Sequence, residues 1–448
     1  MKYKISFTAV LTALGIISSA SAATTNEVHV TGSTAFRGNF FTAATAASGG
    51  IFDAPGGVAL PTGANSGSSL VTYVGKIGGV SYALECSWTG SEAGIANVDG
   101  VSTLSNPGLP NGGFGAGNLP GATTTFPKID GTSGGFTGAG DLTLADTSQA
   151  VSLTKPPAHA ALHDYGVLGV VTFVWEKGKN SSTSTTDAGD VAWSHLVNVT
   201  QPQMLVALAS TVNANFLTGN AADNAIPVAV VGRNAGSGTR ANTLLDVQYG
   251  INTSVSQFAL NSTYSGAGVL TYTVVNNDQA STYPSVASSL ANTTDYTTTP
   301  NFVSVADDGY ESGGGVSQCL SCDLAGSEVI TLGYVGLSDA KAARDGKANS
   351  APTPNQPGGA VFLTLDGVPY SDAVVVNGTY SFWGHEHLYG GTGHTTITDT
   401  AAGAIKTGIA TGSGLGTGSA SAQSSGIAFA SMLADKPGSG DTGYPSPL

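Results

Sequence analysis

The chain has 448 residues, with 15 Lys plus Arg against 29 Asp plus Glu, a formal charge of −14 and a sequence pI of about 4.6. So acidic a balance argues against nucleic acid as a partner. Its 41% hydrophobic content is enough for one or two sizeable cores and excludes disorder along the whole chain, while 63 Gly and 19 Pro point to folded domains joined by long loops.

At the start, Lys2 and Lys4 precede an apolar run from Ile5 to Ile17 that ends in Ala20-Ser21-Ala22. This is the pattern of a secretory signal peptide over residues 1–22, and it predicts a soluble, periplasmic or extracellular protein beginning near Ala23. Loss of Lys2 and Lys4 leaves 13 basic against 29 acidic residues, a net charge of −16. Three cysteines, Cys86, Cys319 and Cys322, allow one bridge in an exported chain. Cys319 and Cys322 could also form half of a redox or zinc site, but with no second pair or nearby His a structural role is expected.

Next, Glu27-Val28-His29-Val30 predicts a strand, and Thr31-Gly32-Ser33-Thr34 a turn that opens a helix near Ala35 or Phe36. Leu70–Val74 alternates as a strand, and Gly90-Ser91-Glu92-Ala93-Gly94-Ile95 reads as a second turn opening a helix. Residues 99–140 are rich in Gly, Pro and Thr and are expected to form a surface insertion. Leu142–Asp146 is a strand ending in a carboxylate, and Val167–Trp175 is apolar enough for a strand buried on both faces. A helix over Gln201–Asn213, a strand over Ile226–Val231 and another over Val329–Val335 follow, an alternation that means α/β architecture. From Thr407 to about Ser425 the chain is linker-like, rich in Gly, Ser, Thr and Ala.

The most specific local signal is Gly232-Arg233-Asn234-Ala235-Gly236-Ser237-Gly238-Thr239-Arg240, between a strand and a helix. Glycines allow close backbone approach, N–H groups converge at a helix N-terminus, hydroxyls donate, and two arginines supply planar charged forks. That combination suits an oxyanion, although taken alone it is equally compatible with a Gly-rich turn carrying solvated arginines. The turns at Ser33 and Ser91 repeat the small-hydroxyl pattern, and Asp146 would select a protonated ligand if it faced the same cleft.

In this order the segments resemble the periplasmic phosphate-binding proteins of ABC transporters, within the type II solute-binding fold. Arg233–Arg240 resembles that family's phosphate loop, Thr31–Phe36 and Gly90–Ile95 its two ligand turns, Ala145-Asp146-Thr147 its proton-accepting aspartate, and Gly333-Tyr334-Val335-Gly336 its late returning strand. Glu92 departs from the family's small or hydroxyl residue and would oppose an anion if it faced inward. The resemblance implies two α/β lobes, 23–165 plus 337–448 and 166–336, joined by a hinge of two chain crossings with a cleft between them. It implies a phosphate site of Ser33, Thr34, Ala35, Ser91 and Asp146 from the first lobe, with Arg233, Ser237, Gly238, Thr239 and Arg240 from the second. A monomer serving an ABC permease in the inner membrane is expected, with no cofactor, no metal and no covalent chemistry. Two other readings stay open. His385-Glu386-His387, with His394 nearby, would suit a secreted metal-dependent hydrolase, and the Gly/Thr/Ser loops would suit an extracellular structural or surface protein.

Overall fold

The computed structural model describes residues 25–101, 124–127, 133–136, 138–261, 301–304, 309–310, 312–346, 358–411, 415, 426–436 and 443–448. The expected signal peptide lies outside them, as do most of the 99–140 insertion and most of the linker-like stretch after Thr411.

The first part of the chain runs β1 (Asn26–Gly32), α1 (Arg37–Thr45), β2 (Val58–Leu60), β3 (Leu70–Ile77), β4 (Val80–Trp88), α2 (Ser91–Val98), the hairpin β5 (Thr124–Pro127) and β6 (Ser133–Phe136), then β7 (Leu142–Ala145). β1 lies between β4 and β7, parallel to both, and the β3–β4 hairpin carries the sheet outward to β2. Phe40 on α1 packs edge-on to Trp88 at 5.1 Å between ring centroids and tilted against Tyr73 at 5.5 Å, one reason the short helix holds its place on the sheet.

β8 (His163–Lys177) then organises the molecule. Its first ten residues pair with β17 (Trp383–Gly390), and from Phe173 to Lys177 it pairs with β14 (Ile330–Gly336). The apolar run continues on both faces because this strand is covered on both, as its sequence requires. Beyond it the chain forms α3 (Ala188–His195), β9 (Asn198–Val199), α4 (Gln201–Ala209), β10 (Val212–Asn213), α5 (Ala214–Thr218), β11 (Pro227–Val231), α6 (Gly238–Asp246), β12 (Phe258–Asn261), β13 (Asn301–Ser304) and α7 (Gly313–Leu320). After β14 come α8 (Leu337–Asp345), β15 (Val361–Phe362), β16 (Thr364–Leu365), α9 (Asp372–Val376), β17, α10 (Thr396–Thr411), β18 (Gly426–Ile427), β19 (Ala434–Asp435) and β20 (Ser446–Pro447). The main sheet is mixed, with strand order β13-β12-β11-β14-β8-β17-β7-β1-β4-β3-β2, so its strands divide into two halves on either side of β8.

One feature differs from the sequence expectation. β14 is the strand of the second half that lies against β8, and residues 337–382, expected in the first lobe, stay with that half: β15 pairs with β8 at Glu176 and Lys177, and β16 pairs with β9. The return falls at β17, later than residue 337. The two passages meet where Phe173 N donates to Phe382 O (3.0 Å) and Tyr380 OH donates to Phe173 O (3.0 Å). The tail adds a third passage, since β18 pairs with the first part of β8 while Leu433 N donates to Val376 O and Tyr444 OH to Gln201 Oε1. All three cysteines are buried free thiols. Among the described residues no helix is long and apolar enough to cross a membrane.

Candidate functional site

β1, β4 and β7 run parallel in one half, and β11 and β14 run parallel in the other. Ligands of open α/β sheets bind outside the carboxyl ends of such strands, where the backbone turns away and leaves a crevice. Ser33 and Thr34 follow β1, Ser91 follows β4, Asp146 follows β7, and the Arg233–Arg240 loop follows β11.

The structure brings these segments together. Asp146 is 2% exposed, and its Oδ1 accepts a 2.6 Å hydrogen bond from Ser91 Oγ, which in turn accepts from Asp146 N at 3.1 Å. Asn242 on α6 ties this unit to the opposite loop, donating through Nδ2 to Asp146 O (2.6 Å) and to Gly238 O (3.0 Å). Ala93 N donates to Gly236 O at 3.1 Å. Two glycines make this approach feasible. Gly90 has φ +112°, and a Cβ there would lie 2.4 Å from Gly236 O; a Cβ on Gly238 would lie 1.5 Å from Asp146 Oδ1.

Arg233 is 1% exposed and firmly aimed. Its Nε donates to Tyr310 O (3.0 Å) and its Nη2 reaches Thr34 Oγ1 across the two halves (3.4 Å). Its backbone is fixed as well: Tyr334 OH accepts from Arg233 N and donates to Gln257 Oε1, while Gln257 Nε2 donates to Arg233 O, each at 3.0 Å. Ser237 caps α6 by accepting from Arg240 N at 3.3 Å, so Gly238, Thr239 and Arg240 form the first turn of a buried helix N-terminus, which favours negative charge. Ser33 is fully buried, its Oγ accepting from Phe36 N at 3.2 Å. Thr34 and Ala35 also border a cavity of about 300 Å³ whose lining includes Arg37, Ser338, Asp339 and Lys341.

Burial raises the Asp146 carboxyl to about 6 against the opposing pull of the Ser91 hydrogen bond and Arg233. Burial also lowers Arg233 from its ordinary value, countered first by Asp339 and then by Asp146, so Asp339 is its stronger negative neighbour. Asp339 acts likewise on the half-buried Arg37. Glu92 does not oppose an anion as its sequence position suggested. It turns away, accepting from Thr147 Oγ1 and Leu153 N at 2.8 Å each, and burial pushes its carboxyl up to about 7.

Sequence reasoning passed over Asn242, Asp339, Arg37 and Glu386. Asn242 lies one helical turn beyond Gly238, a spacing that puts both on one face. Asp339 sits three residues past the Gly-Tyr-Val-Gly strand end, where a side chain near the cleft was to be expected. The His385-Glu386-His387 segment does not form a metal centre: His385 Nε2 lies 3.1 Å from Asp435 Oδ1, His387 stacks on Tyr389, and no group of three or more His, Cys, Asp or Glu among the described residues is placed to hold a metal.

No protein-family model matches the chain, and no curated protein matches it by sequence. Among solved structures, it is similar to an ABC-type phosphate transport receptor from Vibrio cholerae, with 11% identity and a TM-score of 0.38 over 85% of this chain and 94% of that one. It is also similar to a Clostridium perfringens protein provisionally named a phosphate ABC transporter substrate-binding protein and solved with bound phosphate, with 12% identity and a TM-score of 0.36 over 85% and 93%. Likeness at this level bears on neither ligand nor residue roles.

Proposed function

We propose that this chain is an exported solute-binding protein that captures inorganic phosphate between the two halves of its sheet and delivers it to an ABC-type permease, without catalysing a reaction. The observation that carries this reading is the convergence, at the carboxyl ends of parallel strands from both halves, of the Arg233 guanidinium, the Asp146 carboxyl, the Ser33, Thr34 and Ser91 hydroxyls and the α6 N-terminus. An arginine and a helix N-terminus suit an oxyanion, and a buried carboxylate suits one that still carries a proton. Ser33, Thr34, Ala35, Ser91 and Asp146 are the ligands from the first half, and Arg233, Ser237, Gly238, Thr239 and Arg240 those from the second. Because contacts such as Arg233–Thr34 and Ala93–Gly236 join the halves, an anion touching both favours the closed arrangement over an open one. β8, the entry to β17 and the tail after β18 then form the hinge, with the first lobe ending near residue 172 and resuming at β17.

Isothermal titration with phosphate, arsenate, sulfate and molybdate tests the reading. Saturable binding of phosphate and arsenate with little heat from sulfate is expected. Equal binding of all four, or of none, overturns it.

A further inference from the structure

Beside the site stands a buried carboxyl that phosphate capture as described above does not use. In the β17–β7 pairing His387 lies opposite Ala145, the last pair of the ladder, and one step further along the same antiparallel register brings Glu386 beside Asp146. Directly opposed residues on neighbouring strands have Cβ atoms about 4.5–5.5 Å apart. Gly384, two residues earlier and so on the same face of β17, confirms the direction: a Cβ there would meet Asn242 Oδ1 at 2.5 Å and Asp146 O at 2.7 Å. Glu386 is 0% exposed, and neither of its oxygens completes a hydrogen bond among the described residues. The Ser33 hydroxyl pulls both carboxyls down, a pull that burial outweighs.

Few other groups bear on Glu386. His385 and His387 alternate to the other face of β17, where His385 meets Asp435 and His387 stacks on Tyr389. On β8 the residue opposite Glu386 is Gly169, and on α10 the Lys406 ammonium is turned to Tyr165 O at 2.7 Å. Asn242 is the neutral polar group from α6 that this face meets, and Arg233 reaches the pair by way of Asp146. Burial, then the charge of Asp146, drives the Glu386 carboxyl well above its ordinary value, against the weaker opposite pull of Ser33. Two carboxylates this close in a dry site do not both ionise at neutral pH, and they titrate as a pair.

We infer that Glu386 is a specificity-determining residue: protonated beside Asp146 and Ser33, it holds the charge of the carboxyl pair at minus one, so that the site accepts a proton-bearing anion and expels it when the pair loses its own proton. Ionised Asp146 then remains the acceptor for the proton of the ligand. The proton on Glu386 is available to Ser33 Oγ, which leaves the Ser33 hydroxyl to donate toward the anion. A second ionisation would put minus two against the ligand at the same spot. This inference rests on the proposed anion site, and its test separates the two.

Phosphate affinity is measured across neutral and alkaline pH for the wild type and for Glu386→Gln, which keeps the shape of the side chain but has no proton to lose. Wild-type affinity is expected to fall with rising pH by about tenfold per pH unit once the pair has lost its proton, while Glu386→Gln holds its affinity along the same limb. Identical limbs in the two proteins overturn the inference. Infrared spectroscopy supplies a second readout that needs no ligand: the carbonyl stretch of protonated, buried carboxyls is expected at neutral pH in the wild type, with the part contributed by Glu386 lost on the same alkaline limb and missing from Glu386→Gln, while the parts from other raised carboxyls such as Glu92 and Glu176 are shared by both proteins. A wild type without the part lost on that limb overturns the inference even if the variant fails to fold. A wild type that shows it but binds no anion refutes phosphate capture, and with it the role of Glu386 in selectivity.

Discussion

Replacing Asp146 with Asn alters the site at its most discriminating atom. Asp146 Oδ1 accepts from the Ser91 hydroxyl at 2.6 Å, so on the proposed reading Oδ2 is the oxygen that meets the ligand. In Asp146→Asn the amide oxygen keeps the Ser91 bond, and the amide nitrogen, a donor, replaces the free carboxylate oxygen. Phosphate at neutral pH brings a proton that the carboxylate accepts, and sulfate brings none. A hydrogen bond to a charged group contributes roughly 1.5–3 kcal/mol, so phosphate should lose about ten- to a hundredfold in affinity and sulfate should gain by a comparable factor. A second effect follows from burial. The folded carboxyl is raised from 3.8 to about 6, so the folded state holds its proton more tightly than the unfolded chain does. That proton's stabilisation is fully present below about pH 4 and is lost as the pH rises through about 6, which leaves the ionised group a net cost of up to about 3 kcal/mol at neutral pH. Asp146→Asn without ligand should therefore melt higher than the wild type at neutral pH and close to it at pH 4. Titration of both proteins with both anions, beside melting curves at the two pH values, checks each part. Wild-type protein that binds sulfate as tightly as phosphate would remove Asp146 from the site.

Arg233→Ala should weaken phosphate binding by about ten- to a hundredfold through loss of its charge-assisted bonds, with the fold retained by circular dichroism; unchanged affinity would reject the site. Gly90→Ala puts a Cβ within 2.4 Å of Gly236 O at φ +112°, so it should reduce phosphate affinity by forcing the two loops apart, at a backbone cost of about 1–3 kcal/mol visible as a lower melting temperature. Glu92→Gln should flatten the pH dependence of stability between about 4.5 and about 7, the window set by the raised Glu92 carboxyl, while leaving anion selectivity unchanged because Glu92 faces Thr147 and Leu153. Melting curves across that window and a sulfate titration decide it.

The segments that shape the site were legible because each rests on local chemistry. Ser33, Ser91 and Ser237 start turns that end strands and open helices, and the Arg233–Arg240 loop announces itself by glycines and arginines together. The strand content of Val167–Trp175 was legible from its unbroken apolar run, but not its division between two partners, because pairing is set by residues some two hundred positions away. The late return at β17 was hidden for the same reason. Asp339 and Arg37 interact with Arg233 through space, and no spacing in the chain encodes that. Glu386 was concealed by its neighbours: two histidines drew attention to one face of β17, while the residue that meets Asp146 lies on the other.

The charge that an anion meets here differs from the charge of the whole chain. The full sequence carries −14, yet at about 0.15 M salt the field of distant surface carboxylates decays over roughly 8 Å through solvent. Local balance then decides. Arg233 and Arg37 share Asp339 as their first counter-charge, Asp146 acts on Arg233 more weakly, and burial drives Glu386 toward the neutral form. Two guanidinium groups therefore face Asp339 and an Asp146 carboxyl raised to about 6, with a helix N-terminus alongside. With Asp146 ionised the side-chain charges nearly balance, so on the proposed reading the helix N-terminus and the hydrogen-bond donors, rather than an excess of positive charge, hold the anion. The far field acts on the rate of encounter instead: a negative protein repels an incoming anion until salt screens it, so association should quicken as ionic strength rises while dissociation, governed by the dry contacts around Arg233 and Asp146, changes little.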